Sequence, residues 1–385
     1  MKKIFLKFHL WLAVPFGIIV TIICFTGAML VLEPDIVKII NRDMIYTESP
    51  RHTVLSVKDI VARVKPTLAP DVEITGVTMY SDPELACKVN LSKPRRAAVY
   101  VDQYTGGIKG KYERPAFFDT MQRLHRWLLD SPSNNGGVFW GRVIVGTSVI
   151  IFVLLLLSGI VIWWPKTLRG LRNGLKITVN RSRHLFWRSL HAAGGMYALV
   201  FLLLMALTGL TWSFKWYSDG FNALFGVHET EKSSSQDSSS KTTKAGGSAD
   251  GGKSDGKEMA DRAGNPTDIY AKWQDVYNYL RTHNAGYEQI TVSEGSADVS
   301  FGALGNQRAA DKYKFDNATG RIISASIYSE GGVSSKINGW IWSVHTGRWG
   351  GLLTRLIWLI AVLIGTALPL TGYYLWIRRL FRRSR

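Results

Sequence analysis

Four of the eight histidines in the chain stand in matched positions. His9 precedes Thr26-Gly27 and His191 precedes Thr208-Gly209, and the step from histidine to glycine is 18 residues in both cases. His125, in Leu-His-Arg-Trp-Leu-Leu, and His345, in Val-His-Thr-Gly-Arg-Trp, each lie just ahead of a long apolar stretch. A lone histidine near a membrane surface is ordinarily an interfacial polar residue, so the pairing carries the argument. Two imidazoles facing each other across an apolar bundle suit axial ligation of a flat cofactor such as haem.

The elements that must position these side chains are apolar rods. Four windows hold almost no charge: Leu10 to Leu32, Val143 to Trp164, Ala193 to Phe214 and Leu352 to Ile377. About 20 apolar residues suffice to cross a bilayer as a helix, so a purely soluble protein is excluded. Spans of roughly 22 residues still leave about three quarters of the chain outside the bilayer, which excludes a protein that is nothing but membrane. The first apolar run is too long for a cleaved signal, with no small-x-small site before Glu33, and is expected to be retained. Trp140, Trp163, Trp164, Trp212, Trp216, Trp349 and Trp376 gather at span ends, where aromatic rings anchor at the interface.

The 385 residues carry 47 Lys plus Arg against 29 Asp plus Glu, a net charge of +18. Much of the excess sits beside the spans: Lys2, Lys3 and Lys7; Lys166, Arg169, Arg172, Lys176, Arg181, Arg183 and Arg188; Arg378, Arg379, Arg382, Arg383 and Arg385. Cations flanking spans mark the cytoplasmic side, so both termini and the central basic loop are expected there and the two long intervening segments outside. A nucleic-acid surface would interleave cations with stacking aromatics on a folded face; no nucleic-acid partner is expected. Two distant cysteines, Cys24 and Cys87, imply no disulfide framework, and the absence of Cys-x-x-Cys-His excludes thioether-attached haem.

The chain is an internal duplication. Arg142 precedes Gly159 by 17 residues and Arg355 precedes Gly372 by 17, and in each case a tryptophan, Trp163 or Trp376, follows the glycine by 4. The outer segments repeat too. An amphipathic helix through Val57, Ile60, Val61 and Val64 precedes strand-like runs at Val72 to Tyr80, Ala86 to Leu91, Ala97 to Val101 and Ile108 to Tyr112. A second helix through Ile269, Trp273, Val276 and Leu280 precedes runs such as Gln289 to Val292 and Ala297 to Phe301. Each copy holds an Asp-x-x-Thr-Gly-x-Ile turn, Asp102 to Ile108 and Asp316 to Ile322, where glycine supplies a positive φ. The Ser-, Gly- and Lys-rich tract over 228–265 cannot bury a core and is expected to be a flexible linker.

A rough twofold relation between the repeats should bring His9 to His191 and His125 to His345. Ala13, Gly17 and Gly195, one or two turns past the first pair, leave room beneath an imidazole. Eighteen helical residues rise about 27 Å, so Gly27 and Gly209 should reach the level of His125 and His345, while Gly159 and Gly372 approach the other pair. The alternative for these Ser-Gly and Thr-Gly steps is close helix packing. A closed zinc site needs four ligands with Cys or carboxylate among them, which neither pair has nearby. His184, two turns before His191, is open between ligand, haem-propionate contact and solvated loop residue. Arg126, Arg142, Arg348 and Arg355 are candidates for propionate neutralisation or interfacial anchoring. His52, His228 and His283 have no repeat partner and are expected at the surface.

The order of span, helix-plus-strands segment and span, repeated, with Phe-His-Leu-Trp-Leu, Leu-His-Arg-Trp-Leu-Leu, Leu-His-Ala-Ala-Gly-Gly and Val-His-Thr-Gly-Arg-Trp-Gly-Gly, resembles the PepSY-associated transmembrane proteins of bacterial inner membranes. The resemblance covers nearly the whole chain apart from the 228–265 tract. It implies a membrane protein with a four-helix transmembrane bundle and two α+β PepSY-like periplasmic domains. The expected division is helix 1 over 1–33, a first domain over 34–138, helix 2 over 139–165, a cytoplasmic basic loop over 166–190 and helix 3 over 191–215. A second domain with its linker follows over 216–340, then helix 4 over 341–377 and a basic tail over 378–385.

Some members are similar to ferric-siderophore reductases with two b-type haems. That resemblance implies haem iron ligated by His9 with His191 and by His125 with His345, with His184, Gly27, Gly209, Gly159, Gly372, Arg142 and Arg355 as candidate haem contacts. It also implies a cytoplasmic or quinol electron donor and a ferric chelate or siderophore at the periplasmic face. Two other readings stand beside it. In one, the chain is a membrane-anchored PepSY module that binds or regulates a partner without redox activity. In the other it transports iron or haem, against which the near absence of ionisable residues at mid-depth counts.

Overall fold

The computed structural model describes residues 2–47, 53–132, 137–179, 181–227, 266–302 and 304–383. The tract expected as a linker, 228–265, lies outside them, as do His52, His228 and the last two residues. The chain divides into two compact units: Met1–Ile36, Pro115–Gly226 and Gly339–Arg385 form one, Val37–Arg114 and Val227–Asn338 the other.

The first unit is helical. Its long elements are α1 (Lys2–Ile40, whose last turn belongs to the other unit), α5 (Trp140–Trp163), α7 (Arg183–Leu210) and α11 (Gly351–Arg383). All four are long and apolar enough to cross a membrane, and as helices they satisfy their backbone polar groups internally, as a bilayer requires. Short helices flank them: α4 (Ala116–Trp127), α6 (Leu168–Gly174), α8 (Lys215–Ala223) and, from Gly339 on, α10 (Val333–His345). Val20, Cys24, Ala28, Phe152, Leu156, Leu202, Ala206, Ala361 and Val362 form the bundle core. Small residues bring the rods close: a Cβ on Gly365 would meet Leu202 Cδ2 at 2.7 Å and Cys24 Sγ at 3.2 Å.

The second unit carries α2 (Arg42–Ile45), α3 (Val57–Val64), α9 (Pro266–His283) and eight strands. The strands are β1 (Ile74–Tyr80), β2 (Cys87–Leu91), β3 (Ala98–Val101), β4 (Ile108–Tyr112), β5 (Gln289–Ser293), β6 (Ser296–Ser300), β7 (Ala310–Phe315) and β8 (Ile322–Ser326). They form one antiparallel sheet ordered β4-β3-β2-β1-β5-β6-β7-β8. The two sequence copies are therefore halves of a single sheet, joined where β1 pairs β5 with Thr78 opposite Thr291. Their hydroxyls hydrogen-bond at 2.9 Å across the seam, and glycine at 76 makes room for Ser293, whose Oγ a Cβ there would meet at 2.5 Å.

Period-two alternation sends Val77, Met79, Val89, Val99, Ile290, Val292 and Val299 into a core shared with Ile60, Val61 and Val64 of α3 and with Trp273, Val276 and Leu280 of α9. The amide of Val57 donates to Gln274 Oε1 at 2.6 Å, tying the two helices together. Both Asp-x-x-Thr-Gly-x-Ile turns form as the sequence requires. Asp102 Oδ1 accepts from the amides of Tyr104 and Thr105, Asp316 Oδ1 from those of Ala318 and Thr319, and Gly106 and Gly320 both take φ +72.

Candidate functional site

The four repeat-matched histidines all belong to the helical unit, and they meet in the two expected pairs. His9 of α1 and His191 of α7 have ring centroids 6.5 Å apart with planes at 84°. His125 of α4 and His345, the last residue of α10, have centroids 6.2 Å apart at 59°. Between the backbone levels of His9 and of Thr26, where His125 is seated, α1 rises about 25 Å, so the pairs lie toward opposite ends of the bundle.

Each imidazole is fixed by a hydroxyl on a long helix of its own repeat. His9 Nδ1 lies 2.8 Å from Ser158 Oγ on α5, and His191 Nδ1 lies 2.8 Å from Thr371 Oγ1 on α11. His125 Nδ1 lies 3.2 Å from Thr26 Oγ1 on α1, and His345 Nδ1 lies 3.2 Å from Thr208 Oγ1 on α7. Three of the rings also reach a main-chain carbonyl: Leu368 at 3.1 Å for His191, Ile23 at 2.8 Å for His125 and Met205 at 3.0 Å for His345.

These contacts decide the tautomer. All four hydroxyls donate their own hydrogen back to the helix, Ser158 to Leu155, Thr371 to Leu368, Thr26 to Ile22 and Thr208 to Leu204. Their oxygens are then left to accept, so the Nδ1 atoms are the donors. Carbonyls can only accept, which gives the same assignment. Every Nε2 therefore carries a free lone pair, the arrangement in which metal-ligating histidines are held.

The glycine after three of these hydroxyls makes room for a ring. A Cβ on Gly27 would lie 3.1 Å from His125 Cε1, one on Gly209 3.0 Å from His345 Cε1 and one on Gly372 3.5 Å from His191 Cε1. At Gly159 nothing lies within 4 Å. Of the four glycines read from spacing, Gly27, Gly209 and Gly372 thus sit against imidazoles, while Gly159 meets none. Gly17 is filled from α11: Tyr373 packs against it and donates its hydroxyl to the Val14 carbonyl at 2.6 Å.

Turns after the short helices aim the second pair. α4 ends on a left-handed Leu128 with φ +51, and Asp130 Oδ2 accepts from the Gly141 amide at 2.8 Å, fastening the exit of α4 to the start of α5. The matching turn after α10 uses Gly347 at φ +70, whose carbonyl accepts from Thr354 Oγ1 at 2.6 Å. Trp212 lies edge-on to His345 at 5.1 Å.

The arginines are engaged within the protein. Arg355 pairs with Asp35, and Arg142 Nε donates to the Ser213 carbonyl at 2.7 Å. Arg126 lies over the Trp127 ring and Arg348 over Trp342. His184 is half-buried in the first turn of α7, and His283 is exposed, stacked on Tyr279 at 4.1 Å.

The centroid separations are of the size that two imidazoles sharing one metal would show. A metal–imidazole bond of about 2 Å, added to roughly 1 Å from nitrogen to ring centre and doubled, places the centroids a little over 6 Å apart. Among the described residues there is no group of three or more His, Cys, Asp or Glu that could hold a metal ion. Each pair supplies two imidazoles and no third protein ligand among the described residues, so a metal held there would need its remaining donors from a group such as a macrocycle.

A family model, the PepSY-associated TM region, matches residues 6–379. The chain belongs to that family. The match spans all four long helices and both halves of the sheet, so the duplication and the bundle are features of a PepSY-associated transmembrane protein. No curated protein matches the chain.

Proposed function

We propose that this PepSY-associated protein is an electron conduit of the bacterial inner membrane that reduces a ferric chelate, such as a ferric siderophore, on its periplasmic side. The observation that carries the reading is the pair of imidazole couples, 6.5 and 6.2 Å between centroids, each with Nδ1 bound and Nε2 free. His9 with His191 and His125 with His345 would each hold a b-type haem, which supplies reversible one-electron iron chemistry.

The chain's own residues do the rest. Ser158, Thr371, Thr26 and Thr208 lock ring orientation and raise the basicity of Nε2 by accepting from Nδ1. The apolar core from Val20 to Val362 keeps water and ions out of the space between the couples. Overall, a cytoplasmic or quinol donor loses one electron and the ferric chelate gains it, leaving Fe(II), which oxygen-rich chelators hold weakly. Such a reaction needs no side-chain acid, base or nucleophile.

The test is an absorption spectrum of the detergent-solubilised protein after haem-replete expression, oxidised and then reduced. The reading requires the Soret and sharp reduced α bands of six-coordinate low-spin b-type haem, diminished in His191→Ala and unchanged in His283→Ala. A protein purified without a Soret band would leave the PepSY-associated chain as a membrane-anchored binding or regulatory module.

A further inference from the structure

The segment between α5 and α7 is fastened along the bundle. Trp163 Nε1 donates to the Gly174 carbonyl at 3.2 Å, and Ser189 Oγ accepts from the Thr178 amide at 2.9 Å. Tyr197 donates its hydroxyl to the Leu175 carbonyl at 2.9 Å. Tyr197 lies six residues beyond His191, about 9 Å further along α7. The segment is thus held against the flank of the helices.

What this segment presents outward is of two kinds. Lys166, Arg169, Arg172 and Lys176 are exposed, and no salt bridge reaches any of them among the described residues. No Asp or Glu occurs anywhere between residues 131 and 218. Between and beside these cations stand apolar side chains in the open: Leu168 at 82% exposure, Val179 at 71%, Trp164 at 64% and Ile177 at 41%. A purely aqueous face would not carry bare leucine, valine and tryptophan on a tethered segment. Cations alternating with apolar side chains are the composition of a segment lying in the lipid headgroup zone.

We propose that residues 164–179 form a binding site for anionic phospholipid headgroups. Lys166, Arg169, Arg172 and Lys176 contact the phosphates, while Trp164, Leu168, Ile177 and Val179 dip among the upper acyl carbons. Charge complementarity selects anionic over zwitterionic lipid, and the exposed apolar side chains favour a bilayer over an acidic soluble protein. The inference does not depend on haem.

The test uses the full-length protein with two readouts. In the first, native mass spectrometry follows retention of phosphatidylglycerol against phosphatidylcholine from equimolar mixed micelles. Each cation beside an anionic membrane surface contributes roughly fivefold. Wild type should therefore retain phosphatidylglycerol at least tenfold better, and Lys166→Gln/Arg169→Gln/Arg172→Gln/Lys176→Gln should lose that preference. Equal retention of the two lipids by wild type would overturn the proposal.

In the second readout, Leu168→Cys carries an environment-sensitive fluorophore, both native thiols being buried. After reconstitution into phosphatidylglycerol-containing vesicles its emission should shift to the blue. Emission matching the water-exposed dye would also overturn the proposal, and would mark the segment as a docking face for a soluble acidic partner.

Discussion

The Nδ1 of His191 lies 2.8 Å from the Oγ1 of Thr371, a residue 180 positions further along the chain. The same relation holds between His9 and Ser158 and, at 3.2 Å, between His125 and Thr26 and between His345 and Thr208. Each repeat seats its own two histidines, and the couples form between repeats. Removing a hydroxyl should therefore loosen one ring without dismantling the bundle. Thr371→Val or Ser158→Ala is expected to weaken haem retention by about 10- to 100-fold. Thr26→Val and Thr208→Val, whose hydroxyls lie 3.2 Å rather than 2.8 Å from Nδ1, should cost less. Haem transfer to an excess of an apo-haem acceptor measures the order; a flat series would contradict it.

The seat glycines make a graded set of their own. Gly209→Ala and Gly27→Ala put a methyl group 3.0 and 3.1 Å from the ring carbon of a fixed histidine, and overpacking of this kind costs about 1 to 3 kcal/mol. Gly372→Ala, at 3.5 Å, is ordinary contact, and at Gly159 the space is open. Thermal unfolding in detergent should place Gly209→Ala and Gly27→Ala lowest and leave Gly159→Ala at the wild-type midpoint.

Asp35 and Arg355 join the two repeats by an ion pair between α1 and α11. With the arginine side chain 20% and the aspartate 45% exposed, the pair falls between surface and buried cases. Arg355→Ala should destabilise by about 1 to 2 kcal/mol. Asp35→Ala combined with it should add little, because each removes the same interaction. A double-mutant cycle on denaturation midpoints reads the coupling, and full additivity would show the contact to be idle.

In the sheet unit, the amides of Thr319 and Ala318 and the Thr319 hydroxyl hold the exposed Asp316 carboxyl below the usual carboxylate range. A folded-state value below the unfolded one means support that is present above the unfolded pKa and lost as pH falls through the folded one. The Asp316 to Ile322 turn should accordingly loosen only in acid below the ordinary carboxylate range. Hydrogen exchange at Ala318 and Thr319, corrected for the intrinsic rate, should speed up there, and Asp316→Asn should remove the pH dependence.

The imidazole couples were legible in the sequence because duplication repeats spacing: a fixed interval from His9 to Gly27 and from His191 to Gly209 fixes which residues share a level. The hydroxyls at Thr26, Ser158, Thr208 and Thr371 were seen only as neighbours of glycine, since small residues in a membrane helix serve close packing equally well. What separates the two roles is the partner across the helix gap, which linear spacing does not encode. Helices α3 and α9 and strands β1 to β6 followed from periodicity; α2 did not. The joining of the two copies through β1 and β5 did not, because alternation tells which face of a strand is buried and not which edge is paired. Helices α4 and α10 were read as short motifs around a histidine; the structure adds that each ends in a turn that delivers the ring.

The central claim is that each chain binds two haems, one per imidazole couple. Haem per chain, from the pyridine haemochrome spectrum and protein mass, tests it most directly. The account predicts two for wild type, one for His9→Ala or His345→Ala and none for the double variant, with His283→Ala remaining at two. Wild type without haem, or the same content in His9→Ala, His345→Ala and wild type, would contradict it.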